Sequence, residues 1–137
     1  MYYIQVTMKN NILKFITYLY YLSLFILLII YLFPGSIIGY LLYGDLGKQT
    51  SLVANSIGTS INHFFYFFCL SFLGLSCHLI KKTFINSLFF LFMLSIVLEI
   101  FHFFIPNRAF ELSDLLANSA GVISIFFLFK LFRALKV

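Results

Sequence analysis

Four long apolar runs, at 15–33, 61–80, 84–105 and 115–132, are separated by short segments that carry Pro, Gly or basic residues. A helix needs about 20 consecutive apolar residues, rising about 1.5 Å each, to cross a hydrocarbon core. The runs meet that length. The first is closed by Pro34 and Gly35, the second by Lys81 and Lys82, the third by Pro106 and the fourth by Arg133. The pattern predicts an all-α polytopic membrane protein, four transmembrane helices in one bundle, forming a single domain over 1–137. The first run exceeds the 7–15 apolar residues of a signal-peptide core and no small-x-small cleavage site follows it, so it is predicted to be a retained anchor.

Composition excludes the soluble alternative. With 63% hydrophobic and 9% charged residues, twenty Phe and no Trp, too little polar surface exists to cover a water-soluble core. Cys69 and Cys77 lie eight positions apart in one apolar run and are predicted to be small buried hydrophobes, without a disulfide.

Charge orients the bundle. Lys9, Lys14, Lys81, Lys82, Lys130, Arg133 and Lys136 fall before the first run, between the second and third, and after the fourth. The two other connections hold only Lys48 and Arg108 as bases, and the acids Asp45, Glu99, Glu111 and Asp114 lie in or next to them. By the positive-inside rule both termini are predicted to be cytoplasmic. The net charge of +5 is then topogenic and lipid-facing, and the clustered basic stripe of a nucleic-acid binder is missing. The connection at 34–59 is predicted to lie along the outer interface, with Tyr40 and Tyr43 at headgroup level, and a disordered loop is the rival reading; a short helix over 52–58 is a further one.

That orientation gathers the unusual polar residues into one outer layer. His63 opens the second run, Glu99 and His102 end the third, and Asp114 and Asn118 open the fourth. Ser95, Glu99 and His102 follow i, i+4, i+7, as do Asp114, Asn118 and Gly121, so each helix presents one polar stripe. Gly121 on its stripe invites a close helix neighbour.

The run Glu99-x-x-His102-x-x-x-Pro106-x-Arg108, continuing through Asp114, Asn118 and Gly121, resembles the VanZ-like family of small membrane proteins, whose signature is E-x-x-Q-x(3)-P-x-R-x(5)-D-x(3)-N-x-x-G. The spacing agrees at every named position, and His63 is similar to the family's histidine early in its second span. His102 stands where the family has glutamine, Thr59 and Ser60 where it has Asp-Lys, and Ile125 where it has a second glycine. The resemblance implies a four-span protein of the bacterial cytoplasmic (inner) membrane with a cell-envelope role. The family's namesake is associated with reduced susceptibility to a glycopeptide antibiotic.

The residues themselves define the chemistry to be expected. Arg108 either pairs with Asp114, Glu111 or Glu99 or grips a phosphate through its planar fork. Asp114 with Asn118 suits a helix N-terminus. Glu99 has no such role, since an unpaired charge inside a span costs about 2.5–3.5 kcal/mol on insertion scales; it needs Arg108, His102 or a proton, and in the last case serves as proton carrier or general acid. His63 is either a satisfied core histidine or a second acid/base group, and His78 beside Lys81 and Lys82 is interfacial. Glu99 and His102 supply the i, i+3 spacing of carboxylate metal centres, but only once where such centres use it twice. No metal and no cofactor is assigned.

Three functional classes follow. One is an outer-face pocket in which Arg108, Asp114, Asn118, His102, Glu99 and His63 bind an anionic lipid or lipid-linked glycan headgroup. Another is an enzyme hydrolysing such a substrate, with Glu99 or His63 as acid/base. The third is a small transporter or assembly subunit, which with four spans and no internal repeat requires a homo-oligomer. Membrane lipids are the common partner.

Overall fold

The computed structural model describes residues 2–48 and 58–135, with side chains from Asn10 onward. Five helices make up the described chain: α1 Tyr2–Leu32, α2 Ile37–Tyr43, α3 Gly58–Ile80, α4 Leu88–Phe101 and α5 Leu112–Leu135. Three of them, over Asn10–Leu32, Gly58–Ile80 and Leu112–Leu135, are long and apolar enough to cross a membrane.

The exterior is apolar and the interior is where polarity sits. Phe15, Phe25, Phe65, Phe72, Phe89 and Phe127 are exposed, whereas Glu99, Asn118, Ser71 and Ser95 have no accessible surface. In water this arrangement would waste apolar area and strand buried polar groups. In hydrocarbon it is the expected one, because polar side chains there turn toward the bundle interior.

Helix α3 is central and packs against α1, α4 and α5. Its inner face carries Phe67, Leu70, Gly74 and Cys77, and α1 answers with Tyr20, Leu24, Leu27 and Tyr31 at spacings of three and four. Leu91 and Leu98 from α4 and Val122 from α5 complete the core. The expected close approach at Gly121 is present. A Cβ there would lie 2.6 Å from the Phe64 carbonyl oxygen and 2.9 Å from the Phe68 nitrogen, so α5 rests on the backbone of α3. Cys77 is buried as expected. Cys69 is exposed, correcting the second half of that expectation: one turn from Phe65 and Phe72 it shares their outward face, and both thiols are free.

The run at 84–105 differs most from expectation. Its helix, α4, has 14 residues, about 21 Å of rise, and falls short of the span predicted from the apolar run. Both ends have local causes. At the start, the Asn86 carboxamide accepts from the Thr83 amide and donates to the Lys81 carbonyl; it also bonds His78 Nδ1. Ser87 then caps α4 by accepting from the Phe90 amide. At the other end the amides of His102, Phe103 and Phe104 bond three residues back, the tighter pattern that closes helices, and Pro106 follows.

The first part of the connection at 34–59 folds into a short capped helix. Ser36 Oγ accepts from the Gly39 amide to cap α2, and Gly44, at φ 69°, ends it with an N–H to the Tyr40 carbonyl. The following turn folds back, so that the Ser36 amide donates to the Leu46 carbonyl at 2.7 Å. Of the stretch at 52–58, residues 52–57 lie outside the described residues and Gly58 opens α3.

The two interior glycines should differ under substitution. At Gly121 a methyl group meets backbone of α3, while at Gly74 it meets the ends of Leu91 and Tyr20 side chains, which can move. We expect Gly121→Ala to cost about 1–3 kcal/mol and Gly74→Ala clearly less, checked by thermal unfolding of the two purified variants in one detergent.

Candidate functional site

The polar residues expected in one layer converge at one end of the bundle. Asp114, in the first turn of α5, accepts from Ser60 Oγ at 2.5 Å, and its other oxygen lies 3.4 Å from His63 Nε2. His63 Nδ1 bonds the Tyr31 hydroxyl. That hydroxyl donates to Asn118 Oδ1 at 2.8 Å, and Asn118 Nδ2 faces Glu99 Oε2 at 3.5 Å. Glu99 Oε1 lies 3.2 Å from His102 Nδ1 and accepts from the Glu111 amide at 3.2 Å. A continuous network of hydrogen bonds, joined at His63 and Asp114 by an imidazole–carboxylate contact, thus links α3, α5, α1 and α4.

Each member sits where its helix register places it. On α4, Glu99 and His102 are one turn apart on the buried side. On α5, Asp114 and Asn118 share the buried face with Gly121, one turn further along, so the same close packing that seats α5 on α3 brings Asp114 to His63. Tyr31 ends the α1 core stripe; its ring lies parallel to His102, with centroids 5.5 Å apart and planes 19° apart, and edge-on to Phe67. The Glu111 and Asn118 amides donate to the Glu99 carboxylate and the His102 imidazole lies against it, which is how a group with no accessible surface is accommodated without a lysine or arginine.

Of the two parts expected of Arg108, pairing with a carboxylate is not what the structure shows. No ion pair joins it to Asp114, Glu111 or Glu99 among the described residues. Nη2 donates to the Ile30 carbonyl at 2.7 Å and Nε reaches toward the Phe33 carbonyl at 3.5 Å. The physical reason is that the end of α1 leaves carbonyls without intrahelical donors and carries the negative end of the helix dipole, which a guanidinium satisfies on both counts. Burial lowers the Arg108 pKa from its ordinary value, and the nearby Tyr31, Glu99 and Asp114 act in the opposite direction. An arginine guanidinium stays protonated at neutral pH all the same.

A pocket of about 150 Å³ opens beside this network. Arg108, His63, His102, Asn62, Tyr31 and Tyr66 form its polar wall, and Leu27, Ile30, Ile37 and Ile38 its apolar wall. Of the candidates, Arg108, His63 and His102 reach the pocket, while Glu99, Asp114 and Asn118 stand behind it and hold those that do. His102 Nε2 is buried with no hydrogen-bond partner. The two carboxylates are spent on separate imidazoles, and among the described residues no group of three or more His, Cys, Asp or Glu could hold a metal ion.

Sequence reasoning missed Tyr31 and Ser60. Nothing distinguishes Tyr31 among nine tyrosines except its place on the Tyr20, Leu24, Leu27 stripe, which would have turned it inward toward the layer holding His63.

No protein-family model matches the chain, and neither does any curated protein or any solved structure.

Asn118 spans the two halves of the network, so Asn118→Ala should leave the Tyr31 hydroxyl and Glu99 each short of a partner. An expected loss of about 1–3 kcal/mol is checked by chemical unfolding of the purified variant. Ser124→Ala, whose hydroxyl bonds only the Ala120 carbonyl on the exposed face of the same helix, should stay near wild type.

Proposed function

We propose that this chain is a VanZ-like envelope protein that spans the bacterial cytoplasmic membrane four times with both termini inside. In this reading its outer-face pocket binds the anionic headgroup of a lipid or lipid-linked glycan. The observation that carries the reading is the pocket's pairing of Arg108 with an aliphatic wall. A guanidinium has five N–H donors, and among the described residues only Nε and Nη2 are engaged, which leaves donors to take phosphoryl oxygens. His63 and His102 add imidazoles beside them, and Leu27, Ile30, Ile37 and Ile38 suit the start of an acyl or prenyl chain. Capping α1 also fixes the guanidinium in place, so little side-chain freedom remains to be lost on binding. The distribution of basic residues supports the orientation.

Native mass spectrometry of the protein in nanodiscs provides the test. Phosphatidylglycerol should be retained over phosphatidylcholine, and Arg108→Gln should reduce that retention at least about tenfold, the loss expected from removing one charge-assisted contact, in protein that remains folded by thermal unfolding. Equal retention of the two lipids by the wild type would refute the headgroup reading. Reporter fusions at Lys48 and at the C-terminus should fall on opposite sides of the membrane; the same side for both would refute the four-span orientation.

A further inference from the structure

We propose that Tyr31, His63 and Asp114 act as nucleophile, base and orienting carboxylate on the phosphodiester of a lipid-borne headgroup held in this pocket. The inference rests on the headgroup reading above and adds a reaction to it. Its ground is a relay of three groups in the order that nucleophilic catalysis uses: a hydroxyl on an imidazole nitrogen, the other imidazole nitrogen on a carboxylate, and the carboxylate itself held. Here the hydroxyl is Tyr31 Oη on His63 Nδ1, the carboxylate is Asp114, 3.4 Å from His63 Nε2, and Ser60 Oγ holds Asp114 from its other side at 2.5 Å.

The alternatives within the cluster are weaker. Ser60 donates to Asp114 and has no imidazole, and the free thiol of Cys69 is exposed on the outer face of α3. Tyr31 and His63 both line the pocket, as does Arg108. A fixed cation suits phosphorus, because the non-bridging oxygens of a phosphodiester carry charge before and during displacement. The His102 ring stacked on Tyr31 fixes the plane from which the phenol oxygen is presented.

The chemistry balances without a further reagent. Tyr31 Oη bonds to phosphorus as His63 Nδ1 takes the phenol proton, and the bond from phosphorus to the headgroup or lipid alcohol breaks. The departing alkoxide takes that proton from the imidazolium and leaves as the alcohol. Water then attacks the phosphotyrosyl phosphorus, giving its proton to His63; the Tyr31 oxygen departs and recovers it. In the reacting state His63 is the neutral Nε2–H tautomer held by Asp114, with Nδ1 free to accept, and Tyr31 Oη turns its proton from Asn118 to His63 before attack. A phosphodiester and water become a phosphomonoester and an alcohol.

A long-chain alkyl fluorophosphonate tests the step, since attack by a phenol displaces fluoride and leaves a stable adduct. With the protein in nanodiscs, intact-mass analysis should show one added phosphonyl group, and peptide mapping should place it on Tyr31. Tyr31→Phe should abolish labelling, and His63→Gln should slow it about a hundredfold, the lower end of what a general base supplies. A short-chain fluorophosphonate should react at least about tenfold more slowly if the substrate is lipid-borne, because the apolar wall contributes to its binding; equal rates would overturn the lipid-borne assignment and point to a soluble phosphoester. No adduct, or an adduct only elsewhere, would overturn the triad. Phosphatidylglycerol retention measured in the same nanodiscs separates the failures: retention without labelling refutes the reaction alone, and absence of both refutes the pocket reading as well. Should Tyr31→Phe not fold, the mapped position of the wild-type adduct and the His63→Gln rate decide the matter.

Discussion

A carboxylate with no accessible surface, Glu99, has to be surrounded by donors, and the polar end of this bundle is built around that requirement. The chain meets it with neutral or delocalised groups: an imidazole one turn away, the Glu111 amide from the connection to α5, and the Asn118 amide from α5 itself. Asn118 must then find a donor for its oxygen, which Tyr31 supplies, and Tyr31 in turn engages His63. Satisfying one buried group therefore recruits the next, until four helices are tied at one level. Such a network is worth most when complete, because any member left unpaired in a medium of low dielectric costs more than its bond contributes.

The arrangement depends on backbones approaching closely enough for short side chains to meet. Gly121 permits this where α5 meets α3, one turn beyond Asn118, and a larger residue there would move Asp114 away from His63 and Ser60 along with the helix. Packing and chemistry are thus coupled through a position that carries no polar atom of its own. The far end of the bundle is held differently: Tyr20 donates to the Ile85 carbonyl at 2.5 Å and Asn86 gathers the turn before α4, contacts that close a connection.

Several of these features were legible in the chain because they follow from periodicity. The stripes of Ser95, Glu99 and His102 and of Asp114, Asn118 and Gly121 place their residues on the buried faces of α4 and α5, and the apolar runs locate α1, α3 and α5. Two kinds of information were not legible. The length of α4 is set in part by an asparagine and a serine that hold the preceding turn and delay its start to Leu88, and both read as ordinary residues within an apolar stretch. The partners of Arg108 and the part played by Tyr31 are three-dimensional coincidences: main-chain carbonyls exposed by the end of α1 do not appear in a list of acids, and a tyrosine in an aromatic-rich helix has no contrast against its neighbours.

The brevity of α4 bears on the surrounding bilayer. In the four-span reading proposed above, a helix of 14 residues, about 21 Å long against a hydrocarbon thickness of about 30 Å and flanked by longer neighbours, creates hydrophobic mismatch along one side of the protein. Lipids beside it adapt by thinning, at a cost of fractions of a kcal/mol per Å. Because α4 ends at Phe101 with Glu99 and His102 at that end, such a dip would form next to the polar network, and for the headgroup pocket proposed above it would shorten the distance over which a lipid phosphate is desolvated, using membrane shape where a soluble protein would use a cleft.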